Sequence, residues 1–100
     1  MGFSLLLDNK ISKSIILQWG TIIVPKTKNS KSVTFSTTFL KPLGMSTSVS
    51  NLNDSTLYFT SSNALKVNSG LVVCGRWDLA NGYMAGIVTD CTVNYCATGY

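Results

Sequence analysis

The side chains that could do chemistry in this sequence are four aspartates, one arginine, three cysteines, the lysines and the tyrosines, because histidine and glutamate are absent. Without histidine, a serine or cysteine nucleophile lacks its usual base, and a histidine-bearing metal site is excluded. Asp54 and Asp78 could form an acid–base pair of the glycosidase kind, but aspartate is also a common turn residue. Phosphate-binding loops of the GxGxxG and GxxxxGKS/T types are absent. We therefore predict a protein that is not an enzyme and needs no cofactor or metal.

The cysteines, Cys74, Cys91 and Cys96, are odd in number and lack CxxC spacing, which favours neither a zinc site nor a disulfide framework. Buried thiols in a protein that folds in a reducing cytoplasm are the expected state. Cys91 and Cys96 would face opposite sides of a strand, which disfavours a bond between them. A bridge from Cys74 to one of the other two cysteines stays open.

Recognition surfaces are better candidates, because aromatic rings beside Asp, Asn and Arg in a loop have the chemistry of a sugar site. Segment 76–83 is the richest of this kind, and segment 51–55 is a weaker one that also suits an ordinary turn. The alternative for 76–83 is a plain hairpin, in which Trp77 and Tyr83 pack as cross-strand neighbours while Asp78 and Asn81 shape the turn. The predicted receptor-binding residues are Arg76, Trp77, Asp78, Asn81, Tyr83, Asn51, Asn53 and Asp54.

The elements that must position these residues are strands, because hydrophobic residues alternate with polar ones and no helical period is sustained. Strands are predicted at 15–24, 33–39, 45–49, 57–59, 71–77, 83–89 and 93–98, with a short one at 64–67. Turns are predicted at 25–31, 51–55, 68–70 and 78–82. Pro42 and Gly44 are expected to end the strand predicted at 33–39. The sum is an all-β domain, an antiparallel sandwich or small barrel of six to eight short strands.

The composition predicts self-association. At 100 residues the chain is long enough for one domain only. It is 45% hydrophobic and 12% charged, whereas globular domains average about 25% charged residues. No apolar run approaches the roughly 18 residues of a membrane-spanning helix, so membrane insertion is not expected. The excess hydrophobic residues are most simply buried by contact with other copies of the chain.

The net charge of +4 is concentrated early in the chain. It could mark an anion-binding patch for nucleic acid or acidic polymers, or solubilising lysines on turns and an exposed strand edge. The second interpretation is favoured, because no arginine, the residue suited to bidentate phosphate contacts, lies among them. Nucleic acid is therefore not an expected partner. The lysines concerned are Lys10, Lys13, Lys26, Lys28, Lys31 and Lys41.

Two segments carry a family resemblance. The apolar stretch 15–20 ends in Gln18-Trp19-Gly20 and is followed by Val33-Thr34-Phe35 and Phe39, and the chain closes with 95–100. This pattern resembles the C-terminal domain of phage tail-fibre proteins, and the closing strand is also similar to that of H-type lectins. Ser36 stands where the fibre family has proline, and Tyr95, Cys96 and Thr98 replace its Trp and Ile residues. The motif residues are Gln18, Trp19, Gly20, Phe35, Phe39, Tyr95, Gly99 and Tyr100.

The resemblance implies an H-type-lectin-like sandwich at 15–100 that forms a tail-fibre tip. Residues 1–14 would be a lead-in, either a native start or the end of a longer fibre. It further implies a homotrimer in the virion that folds in the bacterial cytoplasm and attaches to surface polysaccharide or an outer-membrane protein. The first and last strands would join the subunits, and Trp19 would lie in the core. The alternatives are a purely structural trimerisation domain and a basic OB-like module for single-stranded nucleic acid.

Overall fold

A computed structural model describes residues 2–8, 13–50 and 57–100 of the chain. These residues form eight β-strands and no helix, as the alternating sequence pattern predicts. No helix that could cross a membrane occurs in those ranges. The strands are β1 (Gly2–Asp8), β2 (Lys13–Val24), β3 (Ser30–Thr34), β4 (Pro42–Ser50), β5 (Tyr58–Asn63), β6 (Ser69–Asp78), β7 (Tyr83–Ala85) and β8 (Cys91–Gly99).

The strands form two antiparallel sheets. Sheet A has the order β1-β2-β8-β4, and sheet B has the order β3-β6-β5, with β7 paired to β6. Burial alternates along β6 and β8, so each sheet turns one face inward. The inner faces meet where the Thr47 hydroxyl bonds the Thr60 hydroxyl at 3.0 Å and the Ser62 hydroxyl donates to the Met45 carbonyl at 2.8 Å. The predicted all-β antiparallel sandwich is confirmed.

The hydrophobic core lies between the two sheets and includes side chains from the connections as well as from the strands. β8 contributes an inward row of alternate residues, and the 35–41 connection contributes two phenylalanine rings with centroids 5.4 Å apart at 68°. Such an edge-to-face arrangement is favoured for aromatic pairs. The buried core residues are Val24, Val33, Phe35, Phe39, Val72, Cys74, Ile87, Cys91, Val93, Tyr95 and Ala97.

The domain is elongated, with extents of 51 × 22 × 22 Å and a radius of gyration of 15.3 Å. A compact domain of this length has a radius of gyration of about 13 Å. One end, which we call the hairpin end, carries the turns 25–29, 78–83 and 88–90. Lys26 N–H joins two of these turns by donating to Asp90 Oδ1 at 2.9 Å. The opposite end carries the 38–41 segment, which hydrogen-bonds the backbone of Tyr100.

Five local predictions are wrong. The strand predicted at 33–39 ends at Thr34, because the chain there leaves sheet B and crosses to sheet A. No strand forms at 64–67, where Ala64 has a φ of 49° that breaks the extended backbone. The turn predicted at 68–70 instead opens β6, and Pro42, expected to end a strand, begins β4. Of the strand predicted at 83–89, only Tyr83–Ala85 is extended.

Candidate functional site

Gln18 is the buried polar centre of the sandwich. It lies on β2 and is fully buried. Its Nε2 donates to the Thr37 carbonyl at 2.7 Å, and its Oε1 accepts from the Thr37 N–H at 3.0 Å. One side chain thus satisfies both backbone groups of a residue that has left the sheets, as a neighbouring strand would otherwise do. This clamp ties the 35–41 connection to β2, although the connection forms no strand and of its side chains only Phe35 and Phe39 are buried, and it gives Gln18 a structural role.

Two glycines of the motif allow close packing. Gly20 lies opposite Tyr95 across β2 and β8, and a Cβ at Gly20 would sit 2.7 Å from Tyr95 Oη. A Cβ at Gly99 would sit 2.6 Å from both the Lys41 carbonyl oxygen and Phe39 Cδ1. Burial also raises the pKa of the Tyr95 phenol. Gly20 with Tyr95, and Gly99 with Phe39, are therefore packed against each other inside the fold and leave little room there for a ligand.

Trp19 is not a core residue, contrary to the prediction. Gln18 and Gly20 on either side of it point into the core, so the alternation of a strand puts Trp19 on the outer face of sheet A. It lies opposite Cys96 and is 43% exposed. Ile23 lies further along the same face of β2 and is also exposed. We call the surface formed by Trp19, Ile23 and Cys96, the residue opposite Trp19 on β8, the outer face of sheet A.

Tyr100 closes the chain against the 38–41 segment. Its N–H donates to the Lys41 carbonyl at 3.0 Å, and its own carbonyl accepts from Leu40 N–H at 2.6 Å and Lys41 N–H at 2.8 Å. A cavity of about 290 Å³ lies beside it, at the lower end of the size of small-molecule sites. Its lining is Ser14, Ile16, Thr38, Leu40 and Tyr100.

The predicted receptor segment 76–83 forms the β6–β7 hairpin. Asp78 Oδ1 accepts from the N–H groups of Ala80 at 3.1 Å and Asn81 at 3.3 Å, and its Oδ2 accepts from Asn81 Nδ2 at 3.0 Å. The alternative interpretation, that Asp78 and Asn81 shape the turn, is confirmed on this point. Its cross-strand pairing is wrong, because Trp77 lies opposite Met84 and Tyr83 lies opposite Asp78, so the two rings point to opposite faces.

The charges of the hairpin are engaged within it. The Asn81 side-chain amide, together with the N–H groups of Asn81 and Ala80 and the nearby Arg76 charge, lowers the pKa of the Asp78 carboxyl. Arg76 Nη1 lies 4.0 Å from Asp78 Oδ2, and Arg76 Nε donates to the Gly86 carbonyl at 2.8 Å. These polar groups hold the shape of the hairpin, so a ligand would meet mainly its apolar side chains.

Exposed apolar residues surround the hairpin. Leu79 at the turn is 75% exposed, and Tyr83 and Met84 are exposed beside it. The Trp77 backbone N–H donates to the Leu57 carbonyl at 2.9 Å. On the outer face of sheet B, the Met84 methyl lies over Gly75, and Gly75 is paired with Phe59 on the neighbouring strand. We call these residues, together with the half-buried Trp77, the hairpin patch. They lie on both faces of the hairpin, since Tyr83 points to the face opposite that of Trp77 and Met84. The members are Leu57, Phe59, Trp77, Leu79, Tyr83 and Met84.

Sequence reasoning placed only Trp77 and Tyr83 of the hairpin patch among the candidates. The signal for Leu79 was an apolar residue inside a turn, and the signal for Met84 was its alternation with Tyr83 on the returning strand. The other predicted segment contained Asn51, Asn53 and Asp54, which lie outside the described residues. Its flanks, Ser50 and Leu57, lie at the hairpin end, since Ser50 is opposite Thr92 near the start of β8 and Leu57 bonds Trp77.

The lysines and cysteines of the described ranges show no built ligand site. Lys26, Lys28 and Lys31 are exposed on a turn and on the edge strand β3, where lysine discourages edge pairing. The three cysteines are free thiols, with Cys74 and Cys91 buried. Within residues 2–8, 13–50 and 57–100, no group of three or more Cys or Asp side chains could hold a metal.

The sequence matches no protein-family model, and it matches no curated protein. The fold is similar to that of two solved fibres. One is the R2 pyocin fibre of P. aeruginosa comprising C-terminal residues 323–691, with a TM-score of 0.69 and 17% identity over 100% of this chain and 26% of that chain. The other is an N-truncated R2-type pyocin tail fibre, with a TM-score of 0.69 and 18% identity over 100% of this chain and 38% of that chain.

The likeness covers the whole of this chain but well under half of either fibre, and at this identity it establishes the fold. The two-sheet sandwich of the described residues is therefore a fold that tail fibres use. It is not the OB-like barrel of the nucleic-acid alternative. Both of these structures are fibres, so the expected likeness to H-type lectins stays a prediction.

Proposed function

We propose that the chain is the receptor-binding tip domain of a phage-type tail fibre, a non-catalytic part of the virion that attaches it to a bacterial surface as a homotrimer. The observation that carries the proposal is the match of the entire chain to pyocin tail fibres at a TM-score of 0.69. The bonds of Gln18 to Thr37 and the close packing of Gly20 on Tyr95 support it further, because these residues of the fibre resemblance are ones that the sandwich needs.

Residues 15–100 would form the tip and residues 1–14 its lead-in, which includes the strand β1 paired to β2. The chain would fold in the bacterial cytoplasm before joining the virion. We assign receptor contact to the hairpin end, where segment 76–83 lies together with Ser50 and Leu57, the described residues on either side of the other predicted segment. The hairpin patch supports this, because aromatic and aliphatic side chains can stack on the apolar face of a sugar or pack against a protein loop. The receptor would be a surface polysaccharide or an outer-membrane protein.

We assign subunit contact to the outer face of sheet A. Trp19 and Ile23 expose large apolar surfaces there, on the strand β2 next to the last strand β8. Burying such side chains between copies is favourable by roughly 25 cal/mol per Å² of apolar surface. The receptor-binding hairpins would then remain free at one end of the assembly.

The first test measures oligomeric state and cell binding together. The purified chain is examined by light scattering, and a fluorescent derivative is incubated with a panel of bacterial strains, beginning with P. aeruginosa, and with a glycan array. We expect trimers that bind at least one strain and block adsorption of a phage to it. A Trp19→Ser variant should shift the protein toward monomer, whereas Thr21→Ser, a small change on the same exposed face, should not. A monomeric protein that binds no strain and no glycan would refute the proposal.

A structural trimerisation domain is the second candidate. It is favoured by one observation, that Asp78 and Asn81 hydrogen-bond each other within the hairpin and Arg76 bonds the Gly86 carbonyl just beyond it. The two candidates differ in what the hairpin does. If the domain only joins subunits, a Leu79→Ser, Tyr83→Ser variant will leave adsorption unchanged, and if the domain binds the receptor, the same variant will adsorb poorly while remaining trimeric.

A further inference from the structure

Two thiols face the same core from opposite sheets of the sandwich. Cys74 lies on β6 in sheet B and is 2% exposed, and Cys91 begins β8 in sheet A and is 0% exposed. Cys91 lies opposite Val24 at the end of β2, and the Cys74 backbone N–H donates to the Asn29 carbonyl at 2.9 Å, so the two residues flank the short turn 25–29 that joins the sheets. Both side chains therefore point into the same part of the core from strands that belong to different sheets.

The third thiol does not face this part of the core. Cys96 is on β8 like Cys91 but an odd number of positions away, so it faces outward, opposite Trp19. Bridging two cysteines needs neighbouring sulfur atoms and inward-pointing Cβ atoms on both sides. Among the three cysteines only Cys74 and Cys91 point into the core from facing sheets, and a bond between facing sheets is a known way to staple a β-sandwich.

We propose that Cys74 and Cys91 are a site of covalent modification, at which a small-molecule disulfide such as oxidised glutathione converts the pair into a disulfide that joins sheet A to sheet B. The inference does not depend on what the domain binds. It does give the fold two covalent states, a dithiol form suited to a reducing cytoplasm and a cross-linked form suited to an oxidising exterior.

The reaction is a two-step exchange. One cysteine loses its proton, and its thiolate attacks a sulfur of the glutathione disulfide, forming a mixed disulfide and releasing one glutathione thiolate, which takes up a proton. The second cysteine loses its proton, its thiolate attacks the cysteine sulfur of the mixed disulfide, and the second glutathione leaves and is protonated. Two cysteine thiols are oxidised by two electrons in total, and one glutathione disulfide is reduced to two thiols.

The closed core protects the pair from this exchange. Burial, together with the Cys91 thiol on the facing sheet, raises the pKa of the Cys74 thiol to about 12, and the thiolate is the reacting form. Oxidation is therefore slow in the folded domain and fast while the chain folds or opens. A folding experiment in a defined redox buffer is the appropriate test.

The protein is unfolded in urea and refolded with either oxidised or reduced glutathione, and free thiols are then alkylated. In the oxidised sample we expect one cross-link between Cys74 and Cys91, with Cys96 alkylated or carrying glutathione. Trypsin separates Cys74 from the others, and chymotryptic cleavage after Tyr95 separates Cys91 from Cys96. Closing a loop of this size should raise the melting temperature by about 10–20 °C.

The matched control is Cys96→Ser, which should keep both the cross-link and the rise in melting temperature. Cys74→Ala and Cys91→Ala should each lose both, and their folding is checked by circular dichroism. A cross-link to Cys96, glutathione on separate cysteines without a bridge, or recovery of two alkylated core thiols would overturn the proposal. So would a Cys74–Cys91 bridge that lowers the melting temperature, since the sulfurs would then be unable to join without distorting the core.

Discussion

The β2–β8 pair and the β6–β7 hairpin use the same three kinds of residue in opposite ways. In the first, the Gln18 amide, Gly20 and the Tyr95 ring are turned inward and satisfied by the fold. In the second, the Asn81 amide serves a turn at the surface, next to Gly82 and the exposed Tyr83 ring. An amide, a glycine and a tyrosine thus hold the fold together in one region and frame an accessible surface in the other, according to the face that each strand presents.

The largest effect is expected from breaking the Gln18 clamp. A Gln18→Ala variant removes the hydrogen-bond partner of the partly buried Thr37 N–H and carbonyl, and it opens a cavity where the Gln18 side chain was. Together these changes should lower the free energy of unfolding by about 4 kcal/mol. Urea denaturation followed by tryptophan fluorescence measures this change. Thr21→Ala, which removes only the exposed hydrogen bond to Asn94, is the control and should cost under about 1 kcal/mol. If Gln18→Ala lowered the free energy of unfolding by as little as Thr21→Ala does, the bonds from Gln18 to Thr37 would not be what holds the 35–41 connection in place.

The next effect concerns the fit of Gly20 to Tyr95. Gly20→Ala places a methyl group against the phenol and should cost about 2 kcal/mol through overpacking. In a Tyr95→Leu background the same substitution should cost much less, because the atoms that it would meet are gone. A double-mutant cycle measured by denaturation gives the coupling energy between the two sites. If the two costs simply add, the packing explanation for this glycine fails.

A smaller, pH-dependent effect is expected at the hairpin. Because the Asp78 pKa is lower in the folded hairpin than in the unfolded chain, its stabilising contribution is complete above the unfolded pKa of about 4 and is lost as pH falls through the lower folded value. Amide exchange or chemical shifts of Ala80 and Asn81 between pH 2 and 6 report this loss. In Asp78→Asn the same signals should show no such transition, and a transition that persists there would assign it to another group.

The smallest effect on stability is expected at the hairpin patch. Leu79→Ser and Tyr83→Ser remove exposed side chains and should change the free energy of unfolding by no more than about 0.5 kcal/mol. Under the proposed function, adsorption should nevertheless fall several-fold, whereas Val88→Ser, an exposed residue of the same end, should leave it intact. A large loss of stability in either hairpin variant would mean that the patch belongs to the fold rather than to a partner.

Strands with regular alternation could be located from sequence. Val93, Tyr95 and Ala97 alternate with polar neighbours, and β8 buries them as expected. The same alternation predicts that Phe35 and Phe39 face inward, and both are buried, but this segment is not a strand. Its backbone instead bonds the Gln18 side chain and the carbonyls of Val67 and Asn68. Local periodicity contains no information about such a long-range contact.

The site was predicted less completely than the fold. The turn at Asp78 and Asn81 was visible from residue types, but the register of the hairpin was not, since one residue more or less in a loop exchanges the faces of every side chain that follows. That is why Tyr83 was paired with Trp77 instead of Met84. Trp19 was predicted to be a core tryptophan, but its neighbours Gln18 and Gly20 face the core, so the alternation of the strand turns Trp19 outward.

The Gln18 clamp also makes one backbone amide a reporter on the whole sandwich. The Thr37 N–H is bonded to a side chain of β2 rather than to a strand of its own. The hydrogen-exchange rate of this one amide therefore depends on whether the 35–41 connection is docked on β2, and it can be followed as a single NMR resonance. Because a conservative change at Gln18 removes that protection without deleting a strand, docking of the connection and formation of the sheets can be timed separately as the domain folds.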